Sequence, residues 1–358
     1  MKKIIAISIL IFNIVSLNLV SVDSVDNSSY ILMDAESGRI FYEKNKEQRY
    51  LTASIAKIMT SIVAIENGSL FTTYKVDYDS TMTEGSSIYL KEGDEIFLYD
   101  LFCGLMLRSV NDAATMISKV VFKTEEEFVY NMNQTAKRIG MGNSTFENPT
   151  GLNTDSYNYS TAYDMALLMK YAIQNEVFYN ISTKKYHKAE TTFFKYHWNN
   201  KHKLITGTDY VKSGKTGTAQ KVGDDGRYMQ GNYILSFLVA APMNDPKAVV
   251  YLAIDNPKNT IQYGGVVAAP MVGEIFKQIL PLMKVEQDFE NQIDKEYRYY
   301  IDRFYYDVPN LIGKTKKALT TPYNYKYIYI GNGEKIIDQE PKSGEKIPEG
   351  GTIILYLG

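Results

Sequence analysis

A chain of 358 residues is long enough for roughly two domains. Its 39 Lys and Arg against 41 Asp and Glu leave a net charge of −2, with no basic block to meet a nucleic-acid backbone. The single cysteine excludes an internal disulfide. His187, His197 and His202 come without a Gly-x-Ser-x-Gly elbow or a His-Glu-x-x-His helix, which speaks against a His-based triad and against a metal site.

Met1-Lys2-Lys3 precedes an apolar run over residues 4–22, read as an export signal. Val22-Asp23-Ser24 stands where a small-residue cleavage site is expected, and an uncleaved run would be near the length of a membrane anchor. Either way the remainder is expected to work outside the cytoplasm. Two strand-like runs, residues 30–34 and 39–42, flank the turn cluster Ala35-Glu36-Ser37-Gly38 and predict a β-hairpin.

Ser54-Ile55-Ala56-Lys57 opens the next element. Ile55, Ile58, Met59 and Ile62 recur at i, i+3, i+4 and i+7, the period of a helix with one buried face, and Gly68 is its expected C′ residue. Three residues on a helix make one turn, so Lys57 is expected to reach Ser54. A serine is a weak nucleophile until a base takes its proton, and a lysine whose pKa is lowered by burial or by a second cation is such a base.

Helices follow over Leu98–Arg108, 112–122, Glu125–Ile139 and 161–174, with Ser160 as N-cap of the last. Cys103, in an apolar stretch of the first, is expected to be a packing residue. Residues 84–93 and 148–152 read as loops. From Phe193 the period becomes that of strands, and 233–241 and 248–254 form an antiparallel pair around a Pro-rich turn. A closing helix spans 267–283 with Pro270 near its first turn. These elements predict one antiparallel sheet built from both ends of a domain over residues 25–285, covered by helices and flanked by a helical insert, with the active site in the crevice between them. Residues 286–306, rich in charge and tyrosine, read as a linker, and 307–358 as a separate small α+β unit.

Ser-x-x-Lys at Ser54 and Lys57, Ser-x-Asn at Ser109 and Asn111, and Lys-Thr-Gly at Lys215, Thr216 and Gly217 occur in the order of the motif set of serine β-lactamases and penicillin-binding proteins. Residues 30–204 resemble the D-alanyl-D-alanine carboxypeptidases through Leu51-Thr52-Ala53-Ser54, Glu84-Gly85-Ser86-Ser87, Ser109-Val110-Asn111-Asp112 and Asn148-Pro149-Thr150-Gly151. Residues 213–288 look more like the transpeptidase penicillin-binding proteins, through Gly214-Lys215-Thr216-Gly217-Thr218-Ala219-Gln220 and Gly264-Gly265-Val266-Val267. Residues 308–358 resemble a PASTA domain.

This resemblance implies an α/β fold of the β-lactamase and transpeptidase type, and an acyl-enzyme on Ser54. Lys57 would be the base, kept neutral by burial and by Lys215. Ser109 would relay a proton to the leaving group, and Asn111 would hold the peptide and orient Lys57. Lys215, Thr216, Gly217 and Thr218 would bind the terminal carboxylate and the oxyanion. The implied substrate is a peptidoglycan stem peptide ending in D-Ala-D-Ala, with β-lactams as inhibitors and no cofactor. Val110, where the family usually carries Gly, and Thr218, where carboxypeptidases commonly carry a bulky residue, bear on substrate geometry. A transpeptidase with an amine acceptor is the alternative; a non-catalytic wall-binding PASTA protein ranks below it, as does a β-lactamase, for which no deacylating carboxylate stands out.

Overall fold

The computed structural model describes residues 27–153, 156–201, 210, 212–223, 227–285, 305–320, 325–348 and 352–358. The run read as an export signal, and the stretch read as a linker as far as residue 304, lie outside the described residues. The chain divides into two units, Met1–Glu290 and Asn291–Gly358.

In the first unit the expected hairpin is β1 (Ser28–Asp34) and β2 (Ile40–Lys44), followed by β3 (Tyr50–Leu51). Ser54 then sits in a short 3-10 turn, Ala53–Ile55, which runs into α1 (Ala56–Asn67). Gly68 ends α1 in an extended rather than a left-handed conformation. A Cβ there would come within 2.6 Å of Leu98 Cδ2 and 2.8 Å of the Ala64 carbonyl, so close packing is what requires the glycine.

The helical insert comprises β4 (Thr73–Lys75), α2 (Tyr78–Thr81), β5 (Glu95–Phe97), α3 (Leu98–Arg108), α4 (Asn111–Phe122) and α5 (Glu125–Ile139), then β6 (Tyr159–Ser160), α6 (Ala162–Ala172) and α7 (Glu176–Ser182). The cap of α6 is Thr161, whose hydroxyl accepts from Asp164 N at 3.1 Å; Ser160 belongs to β6, so the expected cap was one residue early. A hairpin of β7 (Tyr186–Glu190) and β8 (Lys195–Asn199) starts before Phe193, because the turn between its strands falls at that residue.

The remaining elements are β9 (Ser213–Val222), β10 (Tyr228–Ala241), β11 (Ala248–Asp255) and α8 (Gly264–Leu282). The sheet runs β2-β1-β11-β10-β9, every neighbour antiparallel, so the chain's first strands pair with its last. Tyr30, Leu32, Phe237, Val239, Val250 and Leu252 meet Val272, Ile275, Phe276 and Ile279 of α8 on one face. Alternate residues Ile31, Met33, Leu238, Val249 and Tyr251 are buried on the other. Burial of both faces explains why these strands read as continuous apolar runs. The helix α8 begins three residues earlier than its apolar spacing suggested, at Gly264, so Pro270 lies inside it rather than in its first turn. By length and composition α8 could cross a membrane, but its apolar face is occupied by the sheet.

The second unit holds β12 (Tyr305–Asp307), a 3-10 turn (Lys316–Ala318), β13 (Lys326–Ile330), β14 (Ile336–Glu340), β15 (Lys346–Pro348) and β16 (Thr352–Leu357). β16 lies between β13, to which it is parallel, and β14, to which it is antiparallel. Its core is Val308, Leu311, Tyr325, Ile336, Ile353, Leu355 and Leu357. Gln339 is buried there with its amide satisfied: Oε1 accepts from Leu311 N at 2.7 Å, and Nε2 donates to the Pro309 carbonyl at 3.1 Å.

Candidate active site

The three motifs converge on one crevice of the first unit, between the helical insert and β9. Ser54 is presented by a tight turn: Ala53 before it has φ 47°, in the left-handed region. A non-glycine residue there costs about 1–2 kcal/mol. The turn is held from outside by Gly151, which packs so closely on the Ala53 carbonyl that a Cβ would not fit.

Lys57 is fully buried one turn along, and its Nζ lies 3.2 Å from Ser54 Oγ and 2.7 Å from Asn111 Oδ1, with a third, short contact to the Thr150 carbonyl. The two carbonyl-type oxygens accept N–H groups and cannot donate. They therefore occupy both hydrogens of a neutral amine and turn its lone pair toward Ser54. Burial, and then the charge of Lys201, lower the Lys57 pKa to about 7, partly opposed by Asp112. Lys201 follows β8 and is tied to the end of α3 by Lys201 N–H to the Leu107 carbonyl at 3.1 Å. Lys215, the cation expected beside Lys57, feels the charge of Lys57 in turn.

The Ser-x-Asn motif is the joint between two helices. Ser109 caps α3 in a left-handed conformation, φ 63° and ψ 38°, Val110 is the N-cap of α4, and Asn111 is its first residue. This corner sends three consecutive side chains in different directions. Ser109 Oγ accepts from Lys215 Nζ at 2.6 Å, which leaves the hydroxyl proton free to be donated elsewhere. Asn111 Nδ2 donates to the Glu84 carbonyl at 2.7 Å while its Oδ1 faces Lys57. Val110 is buried on the side of Gly104, so its branches do not enter the crevice.

β9 is the edge strand of the sheet, so the backbone of its outer side has no partner strand among the described residues. Lys215 is fully buried, and burial, followed by the charges of Lys57 and Lys201, holds it well below the usual lysine range. Gly217 lets β9 approach the Ser54 turn: a Cβ there would lie 3.0 Å from the Thr52 carbonyl and 3.2 Å from Ile55 Cγ1. Thr216 and Thr218, both half-buried, share the opposite face of the strand from Lys215. Thr218 Oγ1 accepts from Gly264 N–H, the first amide of α8, at 3.0 Å, so its own proton is available to a ligand.

Of the eight residues expected at the site, Ser54, Lys57, Ser109, Asn111, Lys215 and Gly217 meet on one side of β9, and Thr216 and Thr218 flank the same edge from its other face. The Thr150 and Glu84 carbonyls, Lys201 and the Gly264 amide were not foreseen; backbone groups carry no side-chain signature, and Lys201 reads as an ordinary surface lysine. The histidines fall elsewhere: His187 is buried with Nε2 2.6 Å from Asp100 Oδ1. No His, Cys, Asp and Glu grouping suited to a metal ion occurs among the described residues.

The sequence profile of the D-alanyl-D-alanine carboxypeptidase family matches residues 17–225, that of the penicillin binding protein transpeptidase domain residues 172–280, and that of the PASTA domain residues 306–358. The chain is 46% identical over 149 residues to Stage V sporulation protein D of Bacillus subtilis, covering 41% of this chain and 23% of that one. It is 35% identical over 202 residues to D-alanyl-D-alanine carboxypeptidase DacF of Bacillus subtilis, covering 54% and 51%. It thus spans about half or less of these relatives' lengths. A D-alanyl-D-alanine carboxypeptidase from Mycobacterium tuberculosis superposes with a TM-score of 0.61 at 22% identity, covering 71% of this chain and 90% of that one, a likeness of fold.

Proposed function

We propose that this chain, which belongs to the D-alanyl-D-alanine carboxypeptidase family over more than half its length, removes the terminal D-alanine from peptidoglycan stem peptides. The carrying observation is the arrangement at Lys57 Nζ, where two carbonyl oxygens and the Ser54 Oγ surround the nitrogen, so that on loss of a proton the amine keeps the two carbonyl contacts and turns its lone pair to the Ser54 hydroxyl. With its pKa near about 7, Lys57 is substantially neutral at neutral pH and accepts the serine proton as Ser54 Oγ attacks the penultimate D-alanine carbonyl.

The oxyanion is held by backbone N–H groups of Ser54 and Thr218. Ser109 gives its proton to the departing amine and regains the one that Lys57 took from Ser54, so that D-alanine leaves neutral at nitrogen, Lys57 is neutral again and the acyl group stays on Ser54. Water then attacks the ester, releases the shortened peptide and restores the hydroxyl. The terminal carboxylate lies against Lys215 and the hydroxyls of Thr216 and Thr218. Its charge favours the protonated form of Lys215 and so offsets the burial and cation repulsion that lower that pKa. β-Lactams place a strained amide where the peptide bond would lie, which makes them covalent inhibitors. The apolar run at residues 4–22 supports action outside the cytoplasm, at the membrane or in the wall.

One observation favours a second reading: residues 172–280, which include β9, match the transpeptidase profile, and a transpeptidase would use the same acyl-enzyme with an amine in place of water. That strand holds the donor, which both reactions share. Hydrolysis is therefore the reading adopted, because the wall that receives the acceptor lies in the carboxypeptidase-like part. Labelling by penicillin, lost in Ser54→Ala, tests the nucleophile. Incubation of a D-Ala-D-Ala stem peptide with excess amine acceptor tests the outcome: free D-alanine with shortened donor is expected, and a predominance of cross-linked product would overturn hydrolysis.

A further inference from the structure

Asp112 follows Asn111 on the first turn of α4 and is fully buried, yet no salt bridge reaches it among the described residues. A buried carboxylate is costly unless donors converge on it. Here Oδ2 takes Ser87 Oγ at 2.6 Å, Ile88 N–H at 3.0 Å and Leu90 N–H at 3.3 Å, and Oδ1 takes Ala113 N–H at 2.9 Å. All but the last come from the segment spanning residues 84–90. The same segment is fastened to Asn111: its backbone N–H donates to the Ser86 carbonyl at 2.6 Å, and its Nδ2 to the Glu84 carbonyl at 2.7 Å. Two successive side chains of one helical turn thus grip one loop. Only Asn111 has a part in the proposed chemistry.

An asparagine amide presents a donor at one end and an acceptor at the other, and the network around it decides which way it lies. The Glu84 carbonyl makes that choice here. It draws Nδ2 to the loop and leaves Oδ1 for Lys57; the reverse orientation would set N–H against N–H and turn the amine away from Ser54. Gly85 is part of the same fitting, with φ +90° and a would-be Cβ only 2.6 Å from Asn111 Nδ2.

We infer that Asp112 is a positioning residue for acylation: by clamping residues 87–90 to α4 it holds the Glu84 carbonyl against Asn111, and so fixes the end of the Asn111 amide that orients Lys57. The inference rests on Lys57 being the base. Asp112→Asn keeps the size but turns an N–H group toward the loop's own donors.

The test is the rate of penicillin acylation, in the full chain, across pH. Asp112→Asn and Gly85→Ala, which strain the same junction from opposite sides, are each expected to slow acylation by about ten- to a hundredfold. In an Asn111→Ala background Asp112→Asn should cost little more, because the residue it acts through is gone. The charged groups around Lys57 are Lys201, Lys215 and Asp112. Losing the Asn111 acceptor disfavours the Lys57 ammonium, so in Gly85→Ala, where Asp112 keeps its charge, the acid limb should move to lower pH. The same loss factor for Asp112→Asn in both backgrounds, or an unmoved acid limb in a folded Gly85→Ala, would overturn the inference. Should Lys57→Ala acylate at the normal rate in the same assay, the mechanism itself falls, which is a separate outcome. Thermal melting of each variant identifies any that fails to fold, and Gly85→Ala serves if Asp112→Asn does.

Discussion

The two walls of the crevice are built on opposite plans. On the helical wall Ser54, Lys57, Asn111 and the Thr150 carbonyl satisfy one another, with Lys57 and Asn111 buried. On the strand wall Thr216 and Thr218 are half-exposed on a sheet edge that has no outer partner strand among the described residues. In the proposed mechanism the groups that would move protons are preorganised by the fold, and those that would recognise the peptide complete their hydrogen bonds only when it binds. Damage to the first wall should therefore lower the rate of the chemical step, and damage to the second should weaken selection of the carboxylate.

The largest effect expected from this contrast is at the base. Lys57→Ala should slow acylation by about 10²- to 10⁴-fold while the protein still folds, measured as the rate of covalent penicillin labelling. The pH profile gives the same information without a mutation. With the neutral amine as the proposed base and its pKa lowered to about 7, acylation should rise as pH increases through that value and level off above it. A flat profile across neutral pH in the wild type would detach Lys57 from proton transfer.

Thr218→Val should act on recognition. Its hydroxyl, held as a donor by the Gly264 amide, would lose a hydrogen bond to a charged carboxylate, an effect of about 1.5–3 kcal/mol. The loss should appear against D-Ala-D-Ala peptides with a free carboxylate and be much smaller against carboxamide analogues, with Thr218→Ser restoring the difference. Equal loss on both substrates would mean that the strand wall is as much a part of the chemistry as the helical one.

The helical wall was the more legible in sequence, for a physical reason. Ser54 and Lys57 are three residues apart, and the apolar period of Ile55, Ile58, Met59 and Ile62 put them on a helix, so local geometry alone joined them. The sheet followed from its apolar runs. What escaped were groups without a local pattern: the Thr150 and Glu84 carbonyls arrive from loops 93 and 27 residues distant from the side chains they meet. Pro270 drew the expected start of α8 toward itself, and the true start is set by Gly264, where a Cβ would strike the Gly217 carbonyl. That contact is tertiary, and only the folded sheet shows it.

A smaller effect on activity is expected behind the helical wall, where His187 of β7 meets Asp100 of α3. Burial lowers the imidazole pKa and the Asp100 carboxyl raises it, while burial raises the pKa of Asp100 itself, so the two groups hold a proton between them. His187→Ala would leave the buried Asp100 carboxyl without its hydrogen-bond partner, at a cost of about 1–3 kcal/mol in stability. Melting should fall clearly while acylation at low temperature stays near normal. A large rate loss in the folded variant would show instead that the β7–β8 hairpin, which leads to Lys201, sets the electrostatics of the base.

The smallest expected effect is that of removing the second unit. Every group assigned to either wall, from Ser54 to the Gly264 amide, belongs to the first unit, and the sheet that supports β9 is complete by Asp255, with α8 covering it to Leu282. The second unit has its own core and satisfies its buried Gln339 internally. A chain ending at Glu290 should therefore label with penicillin at the full-length rate and release D-alanine from a soluble stem peptide as before. If the soluble truncated protein acylated several-fold more slowly, the strand wall would have to draw on residues beyond 290, and the division between a preorganised wall and an open one would need a third contributor.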